Sequence, residues 1–304
     1  MSQNEKNKKD NKPSLTSRAF YIATQTVLCA ILFFTAGMLS DKGYAYVSER
    51  EDNEMIRNEF GITFASTPTP LQDTESNTLE GQSTATPQST SKPVPSYPVE
   101  TPKRYTYPEG ITIEQLKALK ERSSNFAFWM YIGDTTINYN VMQATDNDYY
   151  LHRNIDGKYA DSGSLFLDYR NDKNTLDGHT IVYGHNMNDG SMFGNLLKYY
   201  TGGNDTYLKE HPYLYTYSEN GVGIWKIFSV YETTTDEYYL QTRFASDDEY
   251  YTFIKDLQNK SAFKTDVLLK ATDDVMTLST CYKFSHVNGR LVVNAVRVGT
   301  SILN

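Results

Sequence analysis

The stretch TLSTCYKFSHVNGRLVVNAVRV, residues 277–298, decides the fold. Two runs rich in Val, Leu and Thr flank a polar connection that ends in Asn288-Gly289. Asn-Gly between apolar runs marks a turn between antiparallel strands, because both residues tolerate positive φ. The first run, 275–281, closes on Cys281, and the second, 290–298, opens on Arg290. Paired across that turn, Cys281 and Arg290 occupy the same end of one sheet. Arg297 lies at an odd offset from Arg290, which puts it on the opposite face near the other end of its strand.

The same patterning recurs upstream, at 127–132, 136–142, 164–168, 180–185, 213–217 and 223–231, with Asn220-Gly221 as a second turn dipeptide. Helical spacing is confined to 113–123, 192–200 and 247–257. Eight short strands with few helices predict a mainly β protein, a closed or nearly closed barrel. No internal repeat is present.

Ahead of this domain the composition changes. From Ser66 to Pro108 the chain is Ser-, Thr- and Pro-rich, and only Pro13 and Pro212 lie outside that stretch. Such a segment buries too little apolar surface to offset its chain entropy and reads as an extended linker. No charged residue falls between Ala19 and Leu39, a run long enough as a helix to cross about 30 Å of hydrocarbon. Lys6, Lys8, Lys9, Lys12 and Arg18 precede it, so the positive-inside rule puts the N-terminus in the cytoplasm and the rest outside. A cleaved signal peptide is the competing reading, but its apolar region is shorter. The expected organisation is a cytoplasmic 1–18, a membrane anchor 19–39, an extracellular juxtamembrane segment and linker 40–108, and a folded domain 109–304. Cys29 in the anchor is apolar filler.

The net charge of −8 argues against nucleic acid, which calls for basic patches. Cys281 is the single cysteine of the exported part, so no disulfide framework exists there. A lone thiol in an oxidising space is either buried as a small hydrophobe or used. Used as a nucleophile, it needs a base and a donor for the developing oxyanion. His185 ends the apolar run TIVYGH and sits where strands meet loops. His152, His179, His211 and His286 lie in polar surroundings and are expected to be solvated. Arg290 is the cation placed to hydrogen-bond a substrate carbonyl, against the bland reading of a solvated strand-end arginine. One cysteine and scattered histidines give no metal-site spacing, and no cofactor is expected.

TLSTC at 277–281 resembles the TLxTC signature of the sortases, membrane-anchored cysteine transpeptidases of Gram-positive bacteria. YGHNMNDGSMFGNL at 183–196 and TDNDYYLHRNIDGKYADSGSLFLDYRND at 145–172 resemble class B in particular. The resemblance spans roughly 113–298. It implies an eight-stranded barrel with an N-terminal helix, which 114–123 would supply, and a helix between strands six and seven, fitted by 247–257. It also implies Cys281 as nucleophile, His185 as general acid/base and Arg290 as the oxyanion-side donor. The family's substrate groove corresponds here to Asn147, Leu151, Tyr183, Thr235, Tyr239, Leu240 and Ser279. The implied reaction cleaves a C-terminal sorting motif of secreted proteins after threonine. It passes through a thioester and transfers the protein to an amine of cell-wall precursor. Three alternatives compete: a pilus-assembling sortase joining subunits, a plain cysteine endopeptidase without transfer, and a non-catalytic membrane-tethered binding barrel. No Asp or Asn is evident from the sequence as a third group orienting His185.

Overall fold

The computed structural model describes residues 24, 27, 31, 35, 54–64, 106–235, 238–281 and 288–303, with Cys281 by its backbone alone. The chain divides into two units, Met1–Glu51 and Asp52–Asn304. In the first, the four described residues are helical and exposed. The expected anchor at 19–39 and most of the linker otherwise lie outside the described residues, as does His286. Among the described residues no helix is long and apolar enough to cross a membrane.

All eight expected strands form: β1 (Phe126–Tyr131), β2 (Asn138–Met142), β3 (Leu165–Leu167), β4 (His179–Gly184), β5 (Tyr213–Ser218), β6 (Gly221–Thr234), β7 (Val275–Cys281) and β8 (Gly289–Ser301). They close into a barrel in the order β1-β2-β3-β4-β7-β8-β6-β5. The sheet is mixed, with β2–β3 and β4–β7 parallel and the other pairs antiparallel.

Alternation sorts each strand between two environments. Met130, Leu165, Leu167, Val182, Leu278 and Val293 point into the lumen and pack there with no measurable exposure. Their neighbours point outward and are covered by two flanking layers. Helix α1 (Ile113–Arg122) covers the β1–β5 side. It is started by a capping box in which Thr112 Oγ1 accepts from Gln115 N and Gln115 Oε1 accepts from Thr112 N at 2.7 Å. Its Leu116 and Leu119 are fully buried, each worth roughly 1.5–3 kcal/mol. Helix α2 (Asp247–Asn259), capped by Ser246, lays Tyr250, Ile254 and Leu257 onto the outer faces of β6, β7 and β8.

Residues 54–64, upstream of the boundary drawn at 109 from composition, pack within this unit. Ile56 and Ile62 are buried, Phe64 stacks on Tyr131 with centroids 4.0 Å apart, and Glu59 pairs with Arg122 at 2.6 Å. Gln115 Nε2 donates to Phe60 O at 2.6 Å. The helix expected at 192–200 breaks into a 3-10 turn, Gly194–Leu197, and a single helical turn, Lys198–Thr201. Met192 adopts φ 52, which no helix continues. The short helix Thr206–Glu210 carries no apolar spacing that would announce it.

Candidate active site

The outer faces of β4, β7 and β8 make one wall. Register fixes its rows: Tyr183 stands beside Ser279, which stands beside Val292, while Cys281 pairs with Arg290 at the end of the strands. Arg290 is also opposite Thr233 on β6. Its side chain is half-buried, and Nη1 donates to Gly289 O at 2.9 Å. Thr235 lies at the same end, its N–H donating to Asn288 O at 3.2 Å. The pairing of Cys281 with Arg290 expected from the turn is therefore present.

His185 follows the last residue of β4 and is half-exposed. Its Nε2 lies 2.8 Å from Leu151 O. A carbonyl oxygen only accepts, so Nε2 carries the proton. His152, exposed as expected, stacks on His185 with centroids 5.5 Å apart.

Asp168, just past β3, organises the neighbouring part of the wall. Its carboxylate is fully buried and takes Tyr183 Oη at 2.8 Å, Asn147 Nδ2 at 3.0 Å, and Arg170 Nε and Nη2 at 2.8 and 2.7 Å. Burial pushes its pKa up, but the hydrogen bonds from Arg170, Tyr183 and Asn147 outweigh that and hold it below the usual carboxylate range. Burial, then the adjacent Asp168 charge, pushes the Tyr183 phenol far up, so it stays a donor. Across the wall the buried Tyr239 Oη is 2.9 Å from Ser279 Oγ, and Leu240 packs in the apolar cluster under α2. Six of the residues drawn from the resemblance thus fall into three pairs, Asn147 with Tyr183 through Asp168, Tyr239 with Ser279, and Leu151 with His185, while Thr235 and Leu240 join none of them. Asp168 and Arg170 were missed. A carboxylate ending the apolar run SLFLD was the available signal.

His179 corrects an expectation. It is fully buried rather than solvated, because Gln241 and α2 fold over the start of β4 from far along the chain. Its Nδ1 is 2.6 Å from Gln241 O and its Nε2 is 2.6 Å from Thr277 Oγ1. Desolvation pushes its pKa down to about 4, leaving the ring neutral with its proton on Nδ1. The single Thr277 proton then goes to Nε2. Thr277 Oγ1 is also 2.6 Å from the Asn294 amide, whose Nδ2 is otherwise buried without a partner. Half a turn of that amide gives Nδ2 to Thr277 and leaves Oδ1 in the position without a donor among the described residues. His211 is likewise half-buried, with Nδ1 2.9 Å from Gly133 O. The Arg297 guanidinium stacks 4.6 Å over Trp225 and donates to Leu176 O at 2.6 Å, at the opposite end from Arg290. Among the described residues no group of three His, Cys, Asp or Glu side chains could hold a metal ion.

Comparison with known proteins agrees with this fold. The family model described as the sortase domain matches residues 130–298. Sortase B of Listeria monocytogenes is 39% identical over 188 residues, covering 60% of this chain and 74% of that protein. Sortase B of Staphylococcus aureus is 32% identical, covering 60% and 73%. Among solved structures, the sortase B-like protein of Bacillus anthracis superposes with a TM-score of 0.55 at 45% identity, covering 60% of this chain and 81% of that one. The sortase B–substrate complex of Staphylococcus aureus gives 0.57 at 31% identity, with 62% and 87% covered. Clostridium perfringens sortase B gives 0.56 at 34%, with 60% and 99% covered.

Proposed function

The chain belongs to the sortase family, as a class B cysteine transpeptidase, and we propose that Cys281, His185 and Arg290 carry its chemistry. The observation that carries the assignment is the register of Cys281 against Arg290 at the strand end where β4 delivers His185. The Cys281 thiolate attacks the carbonyl of a sorting-motif threonine, and the S–C bond forms as Arg290 donates to the developing oxyanion. The C–N bond breaks as imidazolium His185 gives its proton to the leaving amine. An incoming amine then loses its proton to His185 and displaces the thiolate from the thioester.

Asn147, Leu151, Tyr183, Thr235, Tyr239, Leu240 and Ser279 line the groove that receives the motif. The hydrogen bonds that tie Tyr183 to Asp168 and Tyr239 to Ser279 support this, since they fix groove side chains before substrate arrives. The acceptor is an amine of cell-wall precursor. The apolar run 19–39 with its flanking cations supports a membrane anchor with the catalytic domain outside.

The test uses the purified full chain in detergent with a panel of sorting-motif pentapeptides, products read by mass with and without an added amine. The wild type should transfer the threonyl peptide to the amine through a trappable acyl-enzyme. Cys281→Ala should form neither, and turnover by that variant would remove the mechanism.

A further inference from the structure

The sequence shows no residue to orient His185; the structure does. The carbonyls of residues 150–153 form a row at the end of the 3-10 turn Tyr149–His152, and the segment 160–164 folds back along it. Tyr150 O accepts from Ser164 N at 3.0 Å, His152 O from Ala160 N at 3.1 Å, and Arg153 O from Ser164 Oγ at 2.8 Å. The member of the row that accepts from His185 is Leu151 O. The returning segment passes so close that Gly163, at φ +57, would place a Cβ 2.3 Å from Leu151 O and 2.4 Å from Tyr150 O. Only glycine fits there, on both conformational and steric grounds.

We propose that the Leu151 carbonyl, held in place by the 160–164 segment and given room by Gly163, is the positioning group for His185. It keeps the ring proton on Nε2 and makes Nδ1 the nitrogen that exchanges a proton with the Cys281 thiol and the reacting amines. This rests on the acid/base role of His185 proposed above. Through the cycle the Nε2–H stays on Leu151 O. Nδ1 takes the thiol proton, gives it to the leaving amine, and takes one from the incoming amine. A neutral carbonyl fixes the tautomer without the charge that a carboxylate would place against the imidazolium. The arrangement makes Gly163, which touches no reacting atom, a residue the reaction depends on.

Two measurements on the full chain test it. In histidine-labelled wild type above the titration range of the ring, two-bond proton–nitrogen correlation should show His185 protonated on Nε2; protonation on Nδ1 would overturn the proposal. Gly163→Ala should lower single-turnover acylation about ten- to a hundredfold with KM little changed and a shifted pH profile. Gly203→Ala, with the same left-handed φ (+67) but nothing within 4 Å of its Cβ, should not. Equal rates for the two variants would also sink the idea. If Gly163→Ala does not fold, the tautomer in the wild type decides alone. Undiminished acylation by His185→Ala would instead mark failure of the underlying acid/base assignment.

Discussion

Two histidines stand six positions apart along one strand, and they have opposite fates. His179 opens β4 and His185 follows its end, and the ring of each is set against a backbone carbonyl from a distant loop. At His179 that carbonyl is Gln241 O, the second nitrogen is bonded to Thr277, and burial lowers the pKa to about 4. At His185 the carbonyl is Leu151 O, the ring is half-exposed, and the strand end carrying Cys281 and Arg290 is alongside. A carbonyl on one nitrogen fixes a tautomer in either setting. What differs is the setting: full burial at His179, and at His185 a half-exposed strand end, the setting that the proposed acid/base role requires.

Substituting both histidines tests that distinction most severely. His185→Gln should cut single-turnover acylation about 10²–10⁴-fold, the usual worth of general acid/base catalysis, with little change in melting temperature. His179→Gln should lower the melting temperature while the folded fraction keeps most of its turnover. The opposite result, a stable inactive His179 variant, would break the comparison.

The two arginines of β8 should split the same way. Arg290→Lys should lose at least about a hundredfold in acylation, because lysine cannot reproduce a planar donor fork at an oxyanion. Arg297→Lys should act on stability instead, since Arg297 stacks on Trp225 and binds the Thr175 and Leu176 carbonyls. A large catalytic loss at Arg297 would mean the oxyanion donor had been misassigned.

Acid should reveal the buried histidine. The folded pKa of His179 lies below the ordinary value, so the unfolded chain binds a proton that the native state refuses. Its contribution is complete above about pH 6.5 and is lost as pH falls towards 4, about 3 kcal/mol in all. The depressed carboxylates, Asp168 among them, lose theirs only at lower pH. Urea midpoints across pH 7 to 4.5 should fall in the wild type and flatten in His179→Gln. An equal slope in both would refute the assignment.

The smallest effect is expected from Asp168→Asn. It should cost about 1–3 kcal/mol through weakened charge-assisted bonds, and should raise KM for the pentapeptide more than it lowers turnover, because Asn147 and Tyr183 lose their anchor. Unchanged KM and an unchanged urea midpoint would show that Asp168 positions neither.

The barrel was legible because β-strand alternation is local: Leu165 and Leu167, or Leu278 beside Ser279, announce their faces within a few residues. The pairing of Cys281 with Arg290 was legible for the same reason, through the Asn-Gly turn. What escaped depends on distant chain. His179 sits in the polar-looking LDGHT, and the cover that buries it comes from around Gln241 and from α2. Residues 54–64 hide Ile56, Phe60, Ile62 and Phe64 among charges, and become core only against α1 and β1. The Leu151 carbonyl is backbone, which no side-chain pattern reports.

The parallel pairing of β4 with β7 also sets an order of events. Each of β1–β2, β3–β4 and β5–β6 joins strands close in sequence and can zip as the chain appears, but β7 must find β4 across two intervening strands and α2. Closing so long a loop before any contact compensates makes that step slow. By loop length alone, the strand bearing Cys281 is expected to dock on β4 after those local pairs. That strand thus reaches its place beside β4 through a barrel pairing widely separated in sequence, and without that closure no wall would bring Cys281 next to the residue that ends β4.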